Sequence, residues 1–178
     1  MFVDPESIVK ILDILPGMKV ADCGAGSGFY SIPIAKRVGG AGKIYALDIR
    51  KESLEIIRSK AREQRLVNIE VLRANLDHKE GSHLKSDSVD LVIISNILFQ
   101  MENKKHLAEE AYRILKPSGR VVLIEWDEEK KSFGPPLAHR VNRRDAEEIF
   151  LKIGFNFEKE FAAGENHYGL ILKKPSNK

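Results

Sequence analysis

Val20-Ala21-Asp22-Cys23-Gly24-Ala25-Gly26-Ser27-Gly28 is the stretch that decides how this chain folds. The apolar run from Met18 to Ala21 reads as a buried strand. Glycines then stand at every second position, and the chain resumes at Phe29 with the pattern of a helix. Glycine has no Cβ and takes positive φ without strain, so main chain in such a turn can come close to a ligand. The helix start also aims unpaired N–H groups at the same place, which favours negative charge on whatever binds there. A strand, a glycine turn and a helix in this order predict a nucleotide-like cofactor.

The glycine spacing narrows the choice. Dinucleotide enzymes carry G-x-G-x-x-G, with the third glycine beneath a pyrophosphate. Here the third glycine comes one residue early, at Gly28, and Asp22 ends the strand just before the loop. That argues against the rival from another class, an NAD-binding oxidoreductase. Asp22-x-Gly24-x-Gly26-x-Gly28 resembles the first motif of the class I S-adenosylmethionine-dependent methyltransferases. Their cofactor has no phosphate and presents a methionine carboxylate and ammonium to this loop. The resemblance implies that Asp22, Gly24, Ala25, Gly26 and Gly28 bind S-adenosyl-L-methionine, with Tyr30 near its methionine end and S-adenosyl-L-homocysteine as the product.

Downstream, Lys43 to Asp48 reads as the next strand, ending in an acid that can accept both hydroxyls of a ribose. Asp48 matches the ribose-binding acid of the family, with Ile49 against the adenine. Lys51 to Leu66 is a helix with Leu54, Ile57 and Ala61 inward, and Ile69 to Leu72 is a third strand. After it, Asn75 and Leu76 occupy the places where the family contacts the adenine amino group and ring. Asparagine replaces the usual acid but can still accept a hydrogen bond, and Asp77 is a rival for the role. Val89 to Ile94 suits a central strand covered on both faces. It runs into Ser95-Asn96-Ile97-Leu98-Phe99-Gln100, the family's fourth-motif region, where Ser95 is assigned to the cofactor.

Around this frame, Asp4-Pro5 starts a helix with Ile8, Ile11, Leu12 and Leu15 on one stripe, ended by Pro16-Gly17. Ile32, Ile34, Ala35 and Val38 mark the helix after the glycine turn. A helix bearing Leu107, Ala111, Ile114 and Leu115 leads into Leu115-Lys116-Pro117-Ser118-Gly119, then a strand from Arg120 to Trp126. The segment 127–139 reads as a long irregular loop of the kind that is often functional. Asn142 caps a last helix, closed by Gly154, and a hairpin of Phe155 to Phe161 and Tyr168 to Lys173 turns at Gly164-Glu165-Asn166. An alternating β/α chain ending in a hairpin is similar to the whole family. It implies an α/β, three-layer Rossmann-like methyltransferase sandwich: seven strands, mostly parallel, the last antiparallel. Residues 1–178 are expected to form a single domain, with 174–178 a frayed tail.

Bulk properties bound the partners. Hydrophobic residues at 43 % and a net charge of +3 suit a globular protein and give no reason to invoke nucleic acid or anionic membrane. Cys23 is the only cysteine, no signal peptide is visible and no apolar run is long enough to span a bilayer, so a cytoplasmic protein is expected. His78, His83, His106, His139 and His167 show no paired metal spacing, so no metal is expected.

Methyl transfer from a sulfonium is an in-line displacement for which proximity and orientation can supply most of the catalysis. A base is needed only when the nucleophile carries a proton. Candidate catalytic residues are Asn96, Glu125 and His139, with Tyr30, Gln100 and Asp127 also near the expected mouth. Glu125 and Asp127 read more simply as solvated strand-end charges. Lys130, Lys131, Arg140, Arg143 and Arg144 could form a basic rim for an anionic substrate or RNA, or be ordinary solvated charge. The Leu-Lys-Pro-x-Gly passage and short length resemble the ubiquinone/menaquinone-biosynthesis type of methyltransferase. The expectation is an enzyme that methylates a small-molecule acceptor. An RNA or protein methyltransferase and a cofactor-binding module without catalysis are the alternatives on the same fold.

Overall fold

The computed structural model describes residues 5–128 and 134–176. Its elements alternate as expected. They are α1 (Pro5–Ile11), β1 (Lys19–Cys23), α2 (Ser31–Val38), β2 (Lys43–Asp48), α3 (Lys51–Glu63) and β3 (Ile69–Arg73), then β4 (Val89–Ser95), α4 (Lys104–Ile114), β5 (Leu115–Trp126), α5 (Arg143–Ile153), β6 (Asn156–Ala162) and β7 (His167–Lys173). The seven strands form one sheet in the order β3-β2-β1-β4-β5-β7-β6. The first five of these run parallel, and β7 is antiparallel to both β5 and β6. The three-layer Rossmann-like sandwich is what the sequence predicts. Strand order reverses between β1 and β4, and in open α/β sheets that point opens a crevice at the carboxyl ends of the strands.

Both faces of the sheet are covered. One core packs α4 and α5 on the sheet through Leu107, Ala111, Ile114, Phe150 and Leu170. The other packs α1 and α2 through Ile8, Leu12, Ile34, Val38 and Val122. The helix ends follow their capping residues: Asn142 accepts a hydrogen bond from the Asp145 amide at 2.8 Å, and Gly154 takes the left-handed conformation that closes α5.

Four local expectations change. The stripe on α1 ends early because Asp13 adopts φ 50°, which breaks the helical period after Leu12. Ile14 is therefore buried, while Ile11 (39 % exposed) and Leu15 (56 %) face outward. The helix after the glycine turn starts at Ser31 rather than Phe29, which puts Pro33 in its first turn. Leu115 belongs to β5, not α4. It pairs with Val89 across a bulge, so the Leu-Lys-Pro-Ser-Gly passage is the irregular start of a strand. Lys174, expected to begin a frayed tail, is buried, and its Nζ donates to Asp87 Oδ1 and to the Tyr112 and Leu115 carbonyls at 2.7–2.8 Å. The expected N-cap Asp4 and the tail residues Asn177 and Lys178 lie outside the described residues.

Candidate active site

The crevice is built by the turn after β1 and the loops after β2, β3 and β4. Gly24, Gly26 and Gly28 sit at φ 76°, 53° and 81°, where only glycine is free of strain. The Gly24 and Ala25 amides donate to Leu47 O of β2 at 2.8 and 2.9 Å, which pins the turn to the sheet. Gly28 lines no part of the crevice. A Cβ there would meet Ile57 Cγ1 at 3.1 Å, so its place in the motif is close packing of the turn on α3.

Two lobes meet above Gly24. The larger, about 280 Å³, is walled by Asp22, Ala25, Gly26 and Tyr30 on one side and by Ser95 and Asn96 on the other. The smaller, about 180 Å³, is walled by Asp48, Ile49, Asn75, Leu76 and Asp77, with Gln100 and Met101 opposite. Gly24, Arg50 and Ile97 belong to both. Ile97 is packed so closely on Gly24 that a Cβ on the glycine would lie 2.3 Å from Ile97 Cγ2. All the expected cofactor residues except Gly28 are therefore brought to one crevice.

Asp48 is prepared to accept hydrogen bonds. Its Oδ2 takes the Gly26 amide at 2.9 Å and its Oδ1 takes the Arg50 amide at 2.8 Å and Arg50 Nε at 3.3 Å. Asn75 Oδ1 accepts the Asp77 amide at 3.2 Å, while Asp77 Oδ1 accepts the Asn103 amide at 3.1 Å. Asp77 is thus engaged with the start of α4. Asp22 is fully enclosed beneath the turn, with Ser31 Oγ donating to its Oδ2 at 2.6 Å. Burial pushes its pKa up to about 6 against the pull of the Ser31 hydrogen bonds. Burial likewise pushes the Tyr30 phenol up to about 12, with the Ser95 side chain bonded to it.

The three catalytic candidates separate. Asn96 lines the larger lobe at φ 56°, with Oδ1 buried and without a hydrogen-bond partner. Glu125 is not a solvated charge: it is 1 % exposed, and its Oε1 accepts the Ile97 amide at 2.9 Å and the Leu98 amide at 2.6 Å. Burial pushes it up to about 7, opposed by those two amides, the Trp126 backbone amide and the charge of Lys104. His139 is exposed on the short turn 137–139 and lines neither lobe. His167, which the sequence gave no reason to choose, does line the larger lobe. The β5–β7 register sets it opposite Trp126, and the two rings lie 4.2 Å apart. Burial and the nearby Arg140 lower its pKa.

The three described arginines of the basic rim make local pairs, with Arg143 and Arg144 still exposed. Arg140 donates to the Pro135 and Asp127 carbonyls, Arg143 pairs with Glu160 and Arg144 with Glu148. Lys130 and Lys131 lie outside the described residues. Among the described residues, no three His, Cys, Asp or Glu side chains cluster so as to hold a metal ion.

Asp22 and Glu125 make stability depend on pH. Both folded pKa values are raised above the ordinary values of 3.8 and 4.5, so between each ordinary value and its raised one the folded state binds more protons than the unfolded one. Their contribution is fully present below about pH 4 and is lost as pH rises through about 6 for Asp22 and about 7 for Glu125. Each is expected to cost up to about 3 kcal/mol at pH 8. Urea unfolding from pH 5 to 8 checks this: the midpoint falls with pH, and Glu125→Gln flattens the upper part of the curve.

A glycine turn at the strand-order reversal, with an acid next to the end of β1 and another at the end of β2, fits the class I S-adenosylmethionine-dependent methyltransferase fold. The chain belongs to the methyltransferase-domain family, whose profile matches residues 14–160. It is 33 % identical over 120 residues to a demethylmenaquinone methyltransferase of Lactococcus lactis, covering 66 % of this chain and 45 % of that protein. It is also 33 % identical over 120 residues to the ubiquinone/menaquinone biosynthesis C-methyltransferase UbiE of Haemophilus ducreyi, covering 67 % and 44 %. The chain spans about half the length of these curated relatives. A crystal structure of an S-adenosylmethionine-dependent methyltransferase from Aquifex aeolicus superposes with a TM-score of 0.88 at 27 % identity, covering 97 % of this chain and 90 % of that one.

The residues present suit that cofactor. A Cβ built on Gly26 would meet nothing nearer than 3.9 Å, which leaves open space over the turn, and the orphaned Asn96 Oδ1 lines the same lobe. Acids stand in both lobes, and apolar Ile49 and Leu76 line the smaller one, the chemistry a ribose and an adenine ask for.

Proposed function

We propose that the protein transfers a methyl group from S-adenosyl-L-methionine to a small-molecule acceptor by in-line displacement. The observation that carries this reading is the pair of lobes meeting over Gly24, with acids in each. In it, Asp48 takes the ribose hydroxyls, Asn75 and Leu76 meet the adenine, and Asp22, Tyr30 and Ser95 hold the methionine end. When bound, the cofactor supplies an electrophilic methyl on a sulfonium. The chain's own work is to orient the reactants and exclude water from the larger lobe. Relatives named for methylation of menaquinone and ubiquinone precursors support a small acceptor. Local pairing of Arg140, Arg143 and Arg144 gives the RNA reading no support of its own, although Arg143 and Arg144 remain exposed. We read residues 1–178 as one domain of a cytoplasmic protein. Among the described residues no helix is long and apolar enough to cross a membrane.

The test is calorimetry with S-adenosylmethionine, S-adenosylhomocysteine and NAD on the wild type and Asp48→Ala. Both adenosyl ligands should bind and NAD should not, and the substitution should weaken binding by about 1.5–3 kcal/mol, the worth of hydrogen bonds to a charged group. Binding of NAD in place of the adenosyl ligands would return the chain to the oxidoreductase reading. Tight cofactor binding without turnover on any acceptor would favour the module that has lost catalysis.

A further inference from the structure

Glu125 stands out among the buried groups that the binding geometry does not use. Its backbone is at the end of β5, yet its carboxylate reaches the elbow after β4. One oxygen, Oε1, takes the consecutive amides of Ile97 and Leu98. The other, Oε2, is buried without a hydrogen-bond partner among the described residues. No ion pair to Glu125 is present among the described residues. The elbow it holds is strained: Asn96 is a non-glycine residue at φ 56°, and its amide is tied to Ile124 O at 2.9 Å. The same three residues do the partitioning of the crevice. Asn96 faces the larger lobe, Ile97 stands on Gly24 between the two, and Leu98 is fully buried as the anchor behind them.

The geometry points to Glu125 as a positioning residue for methyl transfer, whose carboxylate fixes the Asn96–Leu98 elbow and so sets the partition between the cofactor's two lobes. This rests on the cofactor reading above. An ionised carboxylate makes hydrogen bonds to N–H groups roughly twice as strong as a neutral acceptor does. The staple is therefore firmest when Glu125 is ionised, and burial places that transition near neutrality. The groups facing it are few. Lys104 of α4, whose Nζ donates to Met101 O at 3.0 Å, favours the anion. Tyr168, opposite on β7, is kept as a phenol by burial and by Glu125 itself, and donates to Val141 O at 2.8 Å.

The consequence is an opposition that a purely structural residue would not produce. Ionising Glu125 weakens the fold, as derived above, while it tightens the elbow. As pH rises through about 7, stability should fall and cofactor affinity should rise.

The experiment uses the full chain, with S-adenosylhomocysteine as the probe and Glu125→Gln and Glu125→Leu as variants. First, without ligand, the amide resonances of Ile97 and Leu98 should titrate together near pH 7 in the wild type and not in Glu125→Gln. Second, affinity measured by calorimetry from pH 6 to 8.5 should rise more steeply in the wild type than in Glu125→Gln, which retains only the Asp22 transition. Third, at pH 8 Glu125→Leu should bind at least about tenfold more weakly, while Glu125→Gln, still able to accept both amides but without the charge, binds about threefold more weakly. Amides that do not titrate overturn the proposal, as does equal affinity of the wild type and Glu125→Gln at every pH. That second comparison decides even if Glu125→Leu does not fold. A wild type that binds no S-adenosylhomocysteine while its amides titrate overturns the cofactor reading and, with it, the positioning role.

Discussion

Truncating Phe150 to alanine lowers the unfolding free energy by about 3–5 kcal/mol, the range for removing a buried phenylalanine side chain. Phe150 is fully buried on α5 and is among the largest side chains in the core that joins α4 and α5 to the sheet. Its ring lies 5.7 Å from that of Phe155, which in turn stands edge-on to Tyr112 of α4 at 5.1 Å. Alanine would leave a hole bounded by two helices and the antiparallel end of the sheet. That surface relaxes little, because α5 is fixed at both ends by Asn142 and Gly154. For a domain whose stability is about 5–15 kcal/mol this is a large share, and the thermal midpoint should drop by roughly 6–20 °C. Phe150 lines neither lobe of the crevice. Affinity for S-adenosylhomocysteine, measured where the variant is still folded, should therefore stay within about twofold of the wild type. Differential scanning calorimetry and isothermal titration on the same samples check both halves.

What was legible in the sequence is what local chemistry determines. The glycine turn could be read because three positive-φ positions in five residues have few sequence solutions, and β2 could be bounded at Lys43 and Asp48 because an apolar run stops at an acid. The α1 stripe misled because periodicity extrapolates, and nothing in Leu12-Asp13-Ile14 announces that Asp13 leaves the helical region. Glu125 misled for a deeper reason. A carboxylate at a strand end is ordinarily solvated, and it is buried here only because unpaired amides 27 and 28 residues earlier in the chain lie beneath it. His167 reaches the crevice through the β5–β7 register, which a lone histidine after a hairpin turn does not reveal. In both cases the missing information is the placement of a distant backbone. Asn75 and Asp77 could not be ranked from the sequence either: the Asp77 carboxylate meets the start of α4, and Asn75 Oδ1 meets the Asp77 amide.

Replacing Gly24 by valine is expected to lower affinity for S-adenosylhomocysteine by at least about a thousandfold, roughly 4 kcal/mol, with the sheet still formed. Two effects act in the same direction. At φ 76° a β-branched residue is strained by about 1–3 kcal/mol, a cost borne by the folded protein whether or not ligand is present. The larger effect on binding is steric. A Cβ at this position already meets Ile97 Cγ2 at 2.3 Å, Cδ1 at 2.9 Å and Cβ at 3.2 Å. Ile97 cannot simply turn aside, because its contact includes the branch point and its amide is held by Glu125. The valine methyls must then enter the passage where the two lobes join, the one place that a ligand spanning both has to cross. Calorimetry measures the loss, and far-UV circular dichroism with a urea midpoint separates it from unfolding. Gly28→Ala is the control. It adds a side chain at a similar φ of 81° in the same turn, but toward Ile57 of α3 and away from both lobes. It should lower stability and largely spare affinity. If Gly24→Val bound as tightly as Gly28→Ala, the ligand would not pass over Gly24, and the two lobes would not be the halves of one cofactor site.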